Sequence, residues 1–166
     1  MESSWESAYK KKLIYPEDIE KTVSDLKEQG KKVVTLNGSF DLLHAGHLHI
    51  IYEASMQGDC LILALNSDSS IKKYKSPLRP IIQLENRLQM VAALEFVDYV
   101  TWFEETDPRE LLKIIKPDVH VNGAEYGSEC IESGVVMENG GKIHIANLKP
   151  SLSTSHLIEK IAKICT

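Results

Sequence analysis

The sequence has few cysteines and no long apolar run. Its three cysteines, Cys60, Cys130 and Cys165, form no CxxC pair, and an odd number leaves at least one thiol unpaired. This excludes a disulfide scaffold and favours a reducing compartment, so we expect a cytoplasmic protein. No stretch approaches the roughly 18 apolar residues of a membrane span, and residues 1–13 lack the apolar core of a signal peptide. We therefore expect neither a membrane segment nor an export signal.

Positive charge is also scarce. The 19 lysines and arginines are outnumbered by 24 aspartates and glutamates, which gives a net charge of −5. Proteins that bind nucleic acid through a general electrostatic field carry an excess of basic residues, so we expect no nucleic-acid partner. The charged share of 26% and the hydrophobic share of 43% are ordinary for a globular protein. A length of 166 residues predicts a single domain over 1–166, with an N-terminal helical extension over about 1–30.

Short apolar runs alternate with amphipathic segments of helical length. Strands are predicted at 31–38, 60–66, 98–103, 118–123 and 142–148. Helices are predicted at 16–29, 45–57, 84–96, 154–164 and between Asp107-Pro108 and Pro117, with a lysine-rich loop at 67–80 and a looser segment at 124–141. Strands separated by helices imply parallel crossovers. The predicted fold class is therefore α/β, with a parallel sheet of about five strands and helices on both faces.

Residues suited to anions follow four of the five predicted strands. The carboxyl ends of parallel strands meet at one edge of a sheet, where ligands bind. These strand ends lead into 37–47, into Asn66-Ser67-Asp68 with Lys72, Lys73, Lys75 and Arg79, into Asn122-Gly123-Ala124-Glu125-Tyr126, and into 151–155. The sequence therefore predicts one site assembled from these segments.

The segment 37–47 is the most informative of them. His44 and His47 stand three residues apart at the predicted start of a helix, where backbone N–H groups and the helix dipole favour anions. Gly38 and Gly46 would let a phosphate approach the main chain closely. A metal cluster with His49 fits zinc spacing poorly, so we interpret His49 as structural. A solvated or buried histidine pair is the other interpretation; we favour anion binding.

The motif NGSFDLLHAGH at 37–47 resembles the GxFDxxHxGH signature of HIGH-type nucleotidyltransferases, the superfamily of cytidylyl- and adenylyltransferases. Ser153-Thr154-Ser155 resembles its STT element and Glu85-Asn86-Arg87 its ExR helix element. The likeness runs from about residue 33 to 161. Within the superfamily, NSDSSIKKYKSPLRPI, ENRLQMVAALEFVDYV and VNGAEY are most similar to the adenylyltransferase domain of heptose-phosphate enzymes.

That resemblance implies a Rossmann-like fold and an activity in making lipopolysaccharide precursors. The implied reaction transfers AMP from ATP to a sugar phosphate, with heptose 1-phosphate as the expected acceptor and ADP-heptose and pyrophosphate as products. Mg²⁺ would enter with ATP and keep much of its water, so no protein cage for a metal is expected. A homodimer is expected because members of the superfamily commonly form dimers. Trp5, Tyr9 and Trp102, which have no evident core role in the sequence, also favour a dimer.

The resemblance also implies roles for individual residues. His44 and His47 would bind the triphosphate and its transition state, Lys72 the α-phosphate with Lys75 as the substitute, and Arg87 the β- and γ-phosphates. The other implied nucleotide contacts are Asn37, Gly38, Ser39, Phe40, Gly46, Asn122, Gly123, Ser153, Thr154 and Ser155. The implied acceptor contacts are Asp41, Asn66, Asp68, Lys72, Lys75 and Arg79.

Several of these residues also have an ordinary structural interpretation. Arg87 has a second, less favoured interpretation as a surface helix charge paired with Glu85 or Asp98. Residues 153–155 suit a helix cap as well as a phosphate. Asp68 could simply stabilise a turn in its loop. Asp41 is interpreted more readily as a structural support for the segment 37–47, called the histidine loop below.

Two departures from the pattern bear on the choice of substrate: the first argues against a cytidylyltransferase, and the second argues against assuming a heptose acceptor. Leu148-Lys149-Pro150-Ser151 lacks the arginine and glycine that precede the STT element in several cytidylyltransferases. Asn122 stands where heptose-type enzymes usually carry a lysine. The alternatives are a cytidylyltransferase for glycerol 3-phosphate or another polyol phosphate, and a non-catalytic nucleotide-binding module. The base and ribose are expected near 122–124 and 148–153.

Overall fold

The computed structural model describes residues 4–124, 127, 129–147 and 153–165. Within these residues five strands form one sheet in the order β3-β2-β1-β4-β5, and every neighbouring pair is parallel. The strands are β1 (Val33–Gly38), β2 (Cys60–Asn66), β3 (Tyr99–Phe103), β4 (Val119–Gly123) and β5 (Lys142–Ala146). The predicted Rossmann-like α/β fold is confirmed.

Helices connect the strands and flank the sheet. They are α1 (Trp5–Lys10), α2 (Ile19–Glu28), α3 (Ala45–Ser55), α4 (Asp68–Tyr74), α5 (Leu84–Ala92), α6 (Arg109–Ile115), α7 (Ser133–Glu138) and α8 (Thr154–Cys165), with a 3-10 turn at Pro16–Asp18. None of the helices in the described part of the chain is long and apolar enough to cross a membrane.

The prediction of a loop over 67–80 is wrong for its first half, because α4 lies there. Ser67 caps this helix by accepting the backbone N–H of Ser70 at 3.1 Å. Ile71 is fully buried and anchors the helix to the sheet. Lys72 and Lys73 fall in the last turn, where a helix dipole favours positive charge.

The sheet carries an apolar layer on each face, because successive strand residues point to opposite sides. Val34, Leu36, Leu61 and Leu63 share one core cluster with side chains of α3 and α5. Val33, Cys60, Ile62 and Phe103 share another with side chains of α2 and α6. Burying each large aliphatic side chain contributes roughly 1.5–3 kcal/mol, so these two layers fix the strand ends that form the site.

The segment before α2 covers the edge of the sheet at β3. Leu13 bridges to Val100, and the backbone N–H of Ile14 donates to the Val100 carbonyl at 2.9 Å. Tyr9 is buried in the core, and the Trp102 ring packs edge-on against Tyr15 at 5.6 Å. Both aromatic residues therefore have roles within the chain, which removes them as grounds for a dimer.

The position of β1 in the strand order defines the edge of the sheet at which this topology favours ligand binding. It lies between β2 and β4, so the chain leaves it in one direction along the sheet and later returns on its other side. In doubly wound folds, ligands bind outside the carboxyl ends of the strands at this switch point. The histidine loop directly follows β1 and therefore lies at that edge.

Candidate functional site

His44 and His47 cap each other at the start of α3. His44 Nδ1 accepts the backbone N–H of His47 at 3.4 Å, and His47 Nδ1 accepts the backbone N–H of His44 at 3.3 Å. The two rings are stacked, with centroids 3.8 Å apart. Because both Nδ1 atoms act as acceptors, the single proton of each neutral ring resides on Nε2. The pair therefore offers two Nε2–H donors.

The electrostatics keep both rings neutral at pH 7. Burial lowers the pKa of His44. Burial lowers the pKa of His47 to about 4, with further lowering from His44 and Lys75. A second positive charge on a stacked ring would repel the first, which fits these directions. The pair acts on an anion through N–H dipoles rather than through full charges.

The backbone before the histidines takes an unusual course. Phe40 and Leu42 have φ values of 47° and 52°, in the left-handed region that side chains with a Cβ disfavour. The Phe40 ring is buried and meets the His47 ring edge-on at 5.5 Å. A Cβ on Gly38 would lie 3.2 Å from Phe40 Cε2, so Gly38 allows this ring to fold back beneath the loop.

The Asp41 side chain is hydrogen-bonded within the protein and is not accessible to a ligand. Its carboxylate accepts the backbone N–H groups of Ile81 and Ile82 and Nε of Arg79, each at 2.9 Å. Its side chain is fully buried. Burial opposes its ionisation, but the N–H groups of Ile81 and Ile82 and the Arg79 guanidinium outweigh burial and lower the pKa of Asp41. These contacts favour the bracing interpretation of Asp41.

Lys75 is the lysine that reaches the histidine loop. Its Nζ donates to Ser39 Oγ at 2.8 Å. Burial and the nearby Arg79 lower the pKa of Lys75, whereas Asp41 raises it. Lys72 is exposed on α4, and the contacts of the described residues do not connect it with the histidines. Lys75 is also an exposed residue, but its Nζ contacts Ser39, so the structure brings it together with His47, Ser39 and Arg79.

Arg87 lies inside the protein. It is fully buried and its Nη2 pairs with Asp68 Oδ1 at 2.7 Å, so the interpretation as a surface charge beside Glu85 or Asp98 is wrong. Its other donors reach backbone carbonyls: Nη1 contacts Ser39 and Asn66 at 2.7 and 2.9 Å, and Nε contacts Ile82 at 2.8 Å. A guanidinium has five N–H groups, so these contacts leave little for a phosphate.

The remaining acceptor candidates at the end of β2 are also internally bonded. Asp68 Oδ1 accepts the backbone N–H of Leu84 at 2.9 Å, in addition to Arg87. Asn66 is buried and its Nδ2 donates to Ser70 Oγ at 3.0 Å. These contacts join the end of β2, α4 and the start of α5.

Glu104 is a residue at this edge that the sequence did not single out. Its Oε2 accepts the hydroxyls of Ser67 and Ser69 at 2.7 and 2.6 Å, which lowers the pKa of Glu104. It directly follows β3, the one strand end for which no candidate was named. Applying the strand-end rule to that strand as well would have found it.

On the other side of β1, two predicted residues end β4. Asn122 is buried, and its Nδ2 lies 3.4 Å from Glu132 Oε2, while Gly123 is the last residue of the strand. Asn37 Oδ1 is buried without a hydrogen-bond partner in the described part of the chain. Glu125, Tyr126 and 148–152, expected near the nucleotide, lie outside the described residues.

The hydroxyl groups at the start of α8 make two kinds of contact. Ser153 Oγ accepts the backbone N–H of His156 at 3.2 Å, so it caps the helix. Thr154 Oγ1 donates to the Asp41 carbonyl at 2.8 Å. Ser155 is exposed. The described residues contain no group of three side chains able to hold a metal ion, and His49 Nε2 lies 3.8 Å from Glu53 Oε2 instead.

Comparison with known proteins identifies the family of this chain. The family model "Cytidylyltransferase-like" matches residues 35–159. "Bifunctional protein HldE" of Hahella chejuensis is 40% identical over 148 residues, covering 89% of this chain and 31% of the relative. The same-named protein of Klebsiella pneumoniae subsp. pneumoniae is 43% identical, with the same coverage. That of Wolinella succinogenes is 38% identical over 162 residues, covering 97% and 33%. The chain thus spans about a third of the length of these relatives.

Solved structures show the same fold. The lipopolysaccharide core biosynthesis protein of Thermoplasma volcanium superposes with a TM-score of 0.59 at 26% identity, covering 74% of this chain and all of the other. A pantoate-beta-alanine ligase of Francisella tularensis gives a TM-score of 0.61 at 19% identity, covering 92% and 77%, and supports the fold alone. Fold and histidine loop together define a nucleotidyltransferase. The chain belongs to the cytidylyltransferase-like family, as residues 37–47 predicted.

Proposed function

We propose that the chain is an adenylyltransferase that transfers AMP from ATP to heptose 1-phosphate, giving ADP-heptose and pyrophosphate. The observation that carries the reaction class is the capped pair His44 and His47, with Lys75 beside it. The choice of ATP and heptose 1-phosphate rests on the resemblance of 66–81 and 85–100 to heptose-phosphate enzymes. The 38–43% identity to relatives named HldE supports it.

The proposed step is an in-line displacement. An oxygen of the sugar phosphate attacks the α-phosphorus, the bond to the bridging oxygen of the β-phosphate breaks, and pyrophosphate leaves with the electron pair. Such a reaction needs positioning and neutralisation of the charge that develops on the leaving group. The Nε2–H groups of His44 and His47 donate to phosphate oxygens there. No covalent intermediate with the protein is formed.

Lys75 rather than Lys72 is our proposed contact to the α-phosphate and the acceptor phosphate. Its Nζ already lies beside Ser39, in the loop that carries the histidines. A phosphate arriving there replaces Ser39 as the hydrogen-bond partner and pairs with the ammonium group. Arg87 then acts from inside the fold, holding the carbonyls of Ser39 and Asn66 in place.

The nucleotide is proposed to lie across β1 towards β4 and α8. Asn37, with its unpartnered buried Oδ1, stands at the end of β1, and Asn122 and Gly123 at the end of β4. Ser155 is the exposed hydroxyl of the first turn of α8. The phosphate chain would then pass over Gly38, Phe40 and Gly46, where the backbone turns into α3.

Mg²⁺ is proposed to enter with ATP. Two carboxylates lie near the histidine loop among the described residues. Asp41 pairs with Arg79 and Asp68 with Arg87, so neither is a good metal ligand. A magnesium ion held by the phosphates and water needs no such ligand and neutralises charge on the triphosphate. The donor set of the protein therefore fits a metal carried by the nucleotide.

A cytoplasmic homodimer is the proposed state of the protein. The buried, unpaired thiols Cys60 and Cys130 suit a reducing compartment. Leu48 and Tyr52 on α3 and Met56, directly after its end, are exposed at four-residue spacing and form an apolar stripe that a second copy could cover. Sedimentation equilibrium at micromolar concentration tests this: a Met56→Lys variant that stays monomeric supports the dimer, and a monomeric wild type contradicts it.

Isotope labelling tests the reaction directly. With α-labelled ATP and heptose 1-phosphate, the label should appear in the nucleotide sugar; with γ-labelled ATP it should appear in pyrophosphate. A His47→Asn variant, which can keep the helix cap, is the matched control and should form neither product at a comparable rate. Label from the γ-position in the sugar product would show phosphoryl transfer and contradict the proposal.

A further inference from the structure

Asp41 contacts two separate parts of the site through two different groups. Its carboxylate accepts Arg79 Nε and the backbone N–H groups of Ile81 and Ile82. Its backbone carbonyl accepts Thr154 Oγ1, at the first residue of α8. One residue thus touches both the segment that carries Lys75 and the helix proposed to face the nucleotide.

The segment after α4 is held against the histidine loop at two points. Lys75 Nζ binds Ser39 Oγ, and Arg79 binds Asp41 two residues further along. Only three residues separate Lys75 from Arg79, so fixing Arg79 restricts where the lysine can lie. The Asp41 carboxylate therefore limits the approach of Lys75 to His47.

The hydroxyl of Thr154 makes a tertiary contact rather than a cap. Threonine at a helix start usually accepts a backbone N–H of its own helix. Here Ser153 accepts the N–H of His156, and Thr154 Oγ1 donates across to Asp41. Asp41 is flanked by Phe40 and Leu42, whose left-handed backbone persists only while the surroundings hold it. Loss of the Thr154 contact should therefore loosen this turn.

We infer that Asp41 is a positioning residue that couples α8 to the Lys75–Ile82 segment, so that a change at Thr154 reaches Ile81, Ile82 and Lys75. The contacts stand independently of any substrate. The catalytic consequence rests on the proposed function, since Lys75 is there the contact to the reacting phosphates.

Amide hydrogen exchange at Ile81 and Ile82 tests the coupling without substrate. Thr154→Val removes the donor and keeps the shape, whereas Thr154→Ser keeps the donor. We expect Thr154→Val to speed exchange of both amides at least about threefold, although the Thr154 hydroxyl donates to Asp41 and to neither amide. Thr154→Ser should match the wild type. Unchanged exchange in Thr154→Val, or an equal increase in Thr154→Ser, would overturn the inference.

A double-mutant cycle tests the catalytic consequence. Thr154→Val and Arg79→Met remove side chains that each contact Asp41, so their combined effect on kcat should differ from the product of the single effects by at least about threefold. Thr154→Val with Lys113→Met, at an exposed position of α6, is the control pair and should be multiplicative. A multiplicative first pair would contradict the coupling. A wild type inactive with ATP and heptose 1-phosphate would refute the proposed function, and the exchange result would still decide this inference.

Discussion

His44 and His47 each accept the backbone N–H of the other through Nδ1, so the cap of α3 and the display of two Nε2–H donors are one structure. A helix start normally needs a capping side chain and leaves N–H groups open to an anion. Here the cap itself supplies the additional donors. The same contacts fix the tautomer of both rings, which an isolated histidine would leave free.

Asparagine substitutions should separate the cap from the donors. In His44→Asn and His47→Asn the side-chain oxygen can still accept a backbone N–H, but no group occupies the place of Nε2. We expect kcat to fall several-hundred-fold, about 3–4 kcal/mol of transition-state stabilisation, with little change in nucleotide affinity. Steady-state kinetics and calorimetric ATP titration measure both. Near wild-type turnover in either variant would contradict the role of its Nε2–H group.

Lys75 and Lys72 form a second matched pair. Lys75→Met should lower kcat/KM at least about a hundredfold, because it removes the ammonium beside His47. Lys72→Met, at the exposed face of α4, should change kcat/KM less than about threefold and so serves as the control. Equal losses in the two variants, or a larger loss for Lys72→Met, would restore Lys72 to the role that the sequence alone suggested.

The histidine loop and the strands could be predicted because their signals are local. Glycines, a closely spaced histidine pair and β-branched runs indicate a turn, a helix start and strands through short-range contacts. The helix α4 could not be predicted, because the stabilising contacts of DSSIKKY are a serine cap and the buried side chain of Ile71. The cap is a local contact, but the burial of Ile71 depends on the neighbouring sheet, and without that contact the polar segment has the composition of a loop.

Arg87 shows what the sequence could not reveal about the site. An arginine on a helix is usually exposed, and its burial here depends on the carbonyls of Ser39, Asn66 and Ile82 converging from three segments. The choice between Lys72 and Lys75 has the same origin. In an assumed loop, Lys72 and Lys75 are equivalent candidates. In the structure Lys72 lies within α4, whereas Lys75 follows the end of α4 and contacts Ser39.

Replacing Arg87 should destabilise the protein strongly. Arg87→Met removes the donor shared by three backbone carbonyls and the charge partner of Asp68, which should cost about 3–5 kcal/mol in the free energy of unfolding. Arg109→Met, which breaks the exposed pair with Asp107, is the control and should leave stability close to that of the wild type. Urea denaturation measures both variants. A small loss for Arg87→Met would contradict its structural role.

Stability should fall in mild acid because of His120. This residue is fully buried, its Nδ1 lies 2.8 Å from Thr35 Oγ1, and burial lowers its pKa to about 4. An unfolded histidine titrates near pH 6.5, so between about pH 6.5 and 4 the unfolded chain binds a proton that the folded chain excludes. The free energy of unfolding is therefore full above about pH 6.5 and falls by up to about 3 kcal/mol towards pH 4.

Urea denaturation at pH 7 and pH 5 measures this effect. His120→Gln should show a smaller difference in unfolding free energy between the two pH values than the wild type, whatever its absolute stability. His47, whose pKa is also about 4, contributes in the same direction, so the difference should shrink without disappearing. An unchanged pH dependence in His120→Gln would contradict the assignment.

The choice of substrates is tested most directly by pyrophosphate release in a matched panel. ATP, CTP, GTP and UTP are each offered with heptose 1-phosphate, glycerol 3-phosphate and ribitol 5-phosphate, with Mg²⁺ present throughout. We expect the highest kcat/KM for ATP with heptose 1-phosphate. Preference for CTP, or for a polyol phosphate with ATP, would contradict the heptose assignment, and binding without turnover in every pair would contradict the enzyme itself.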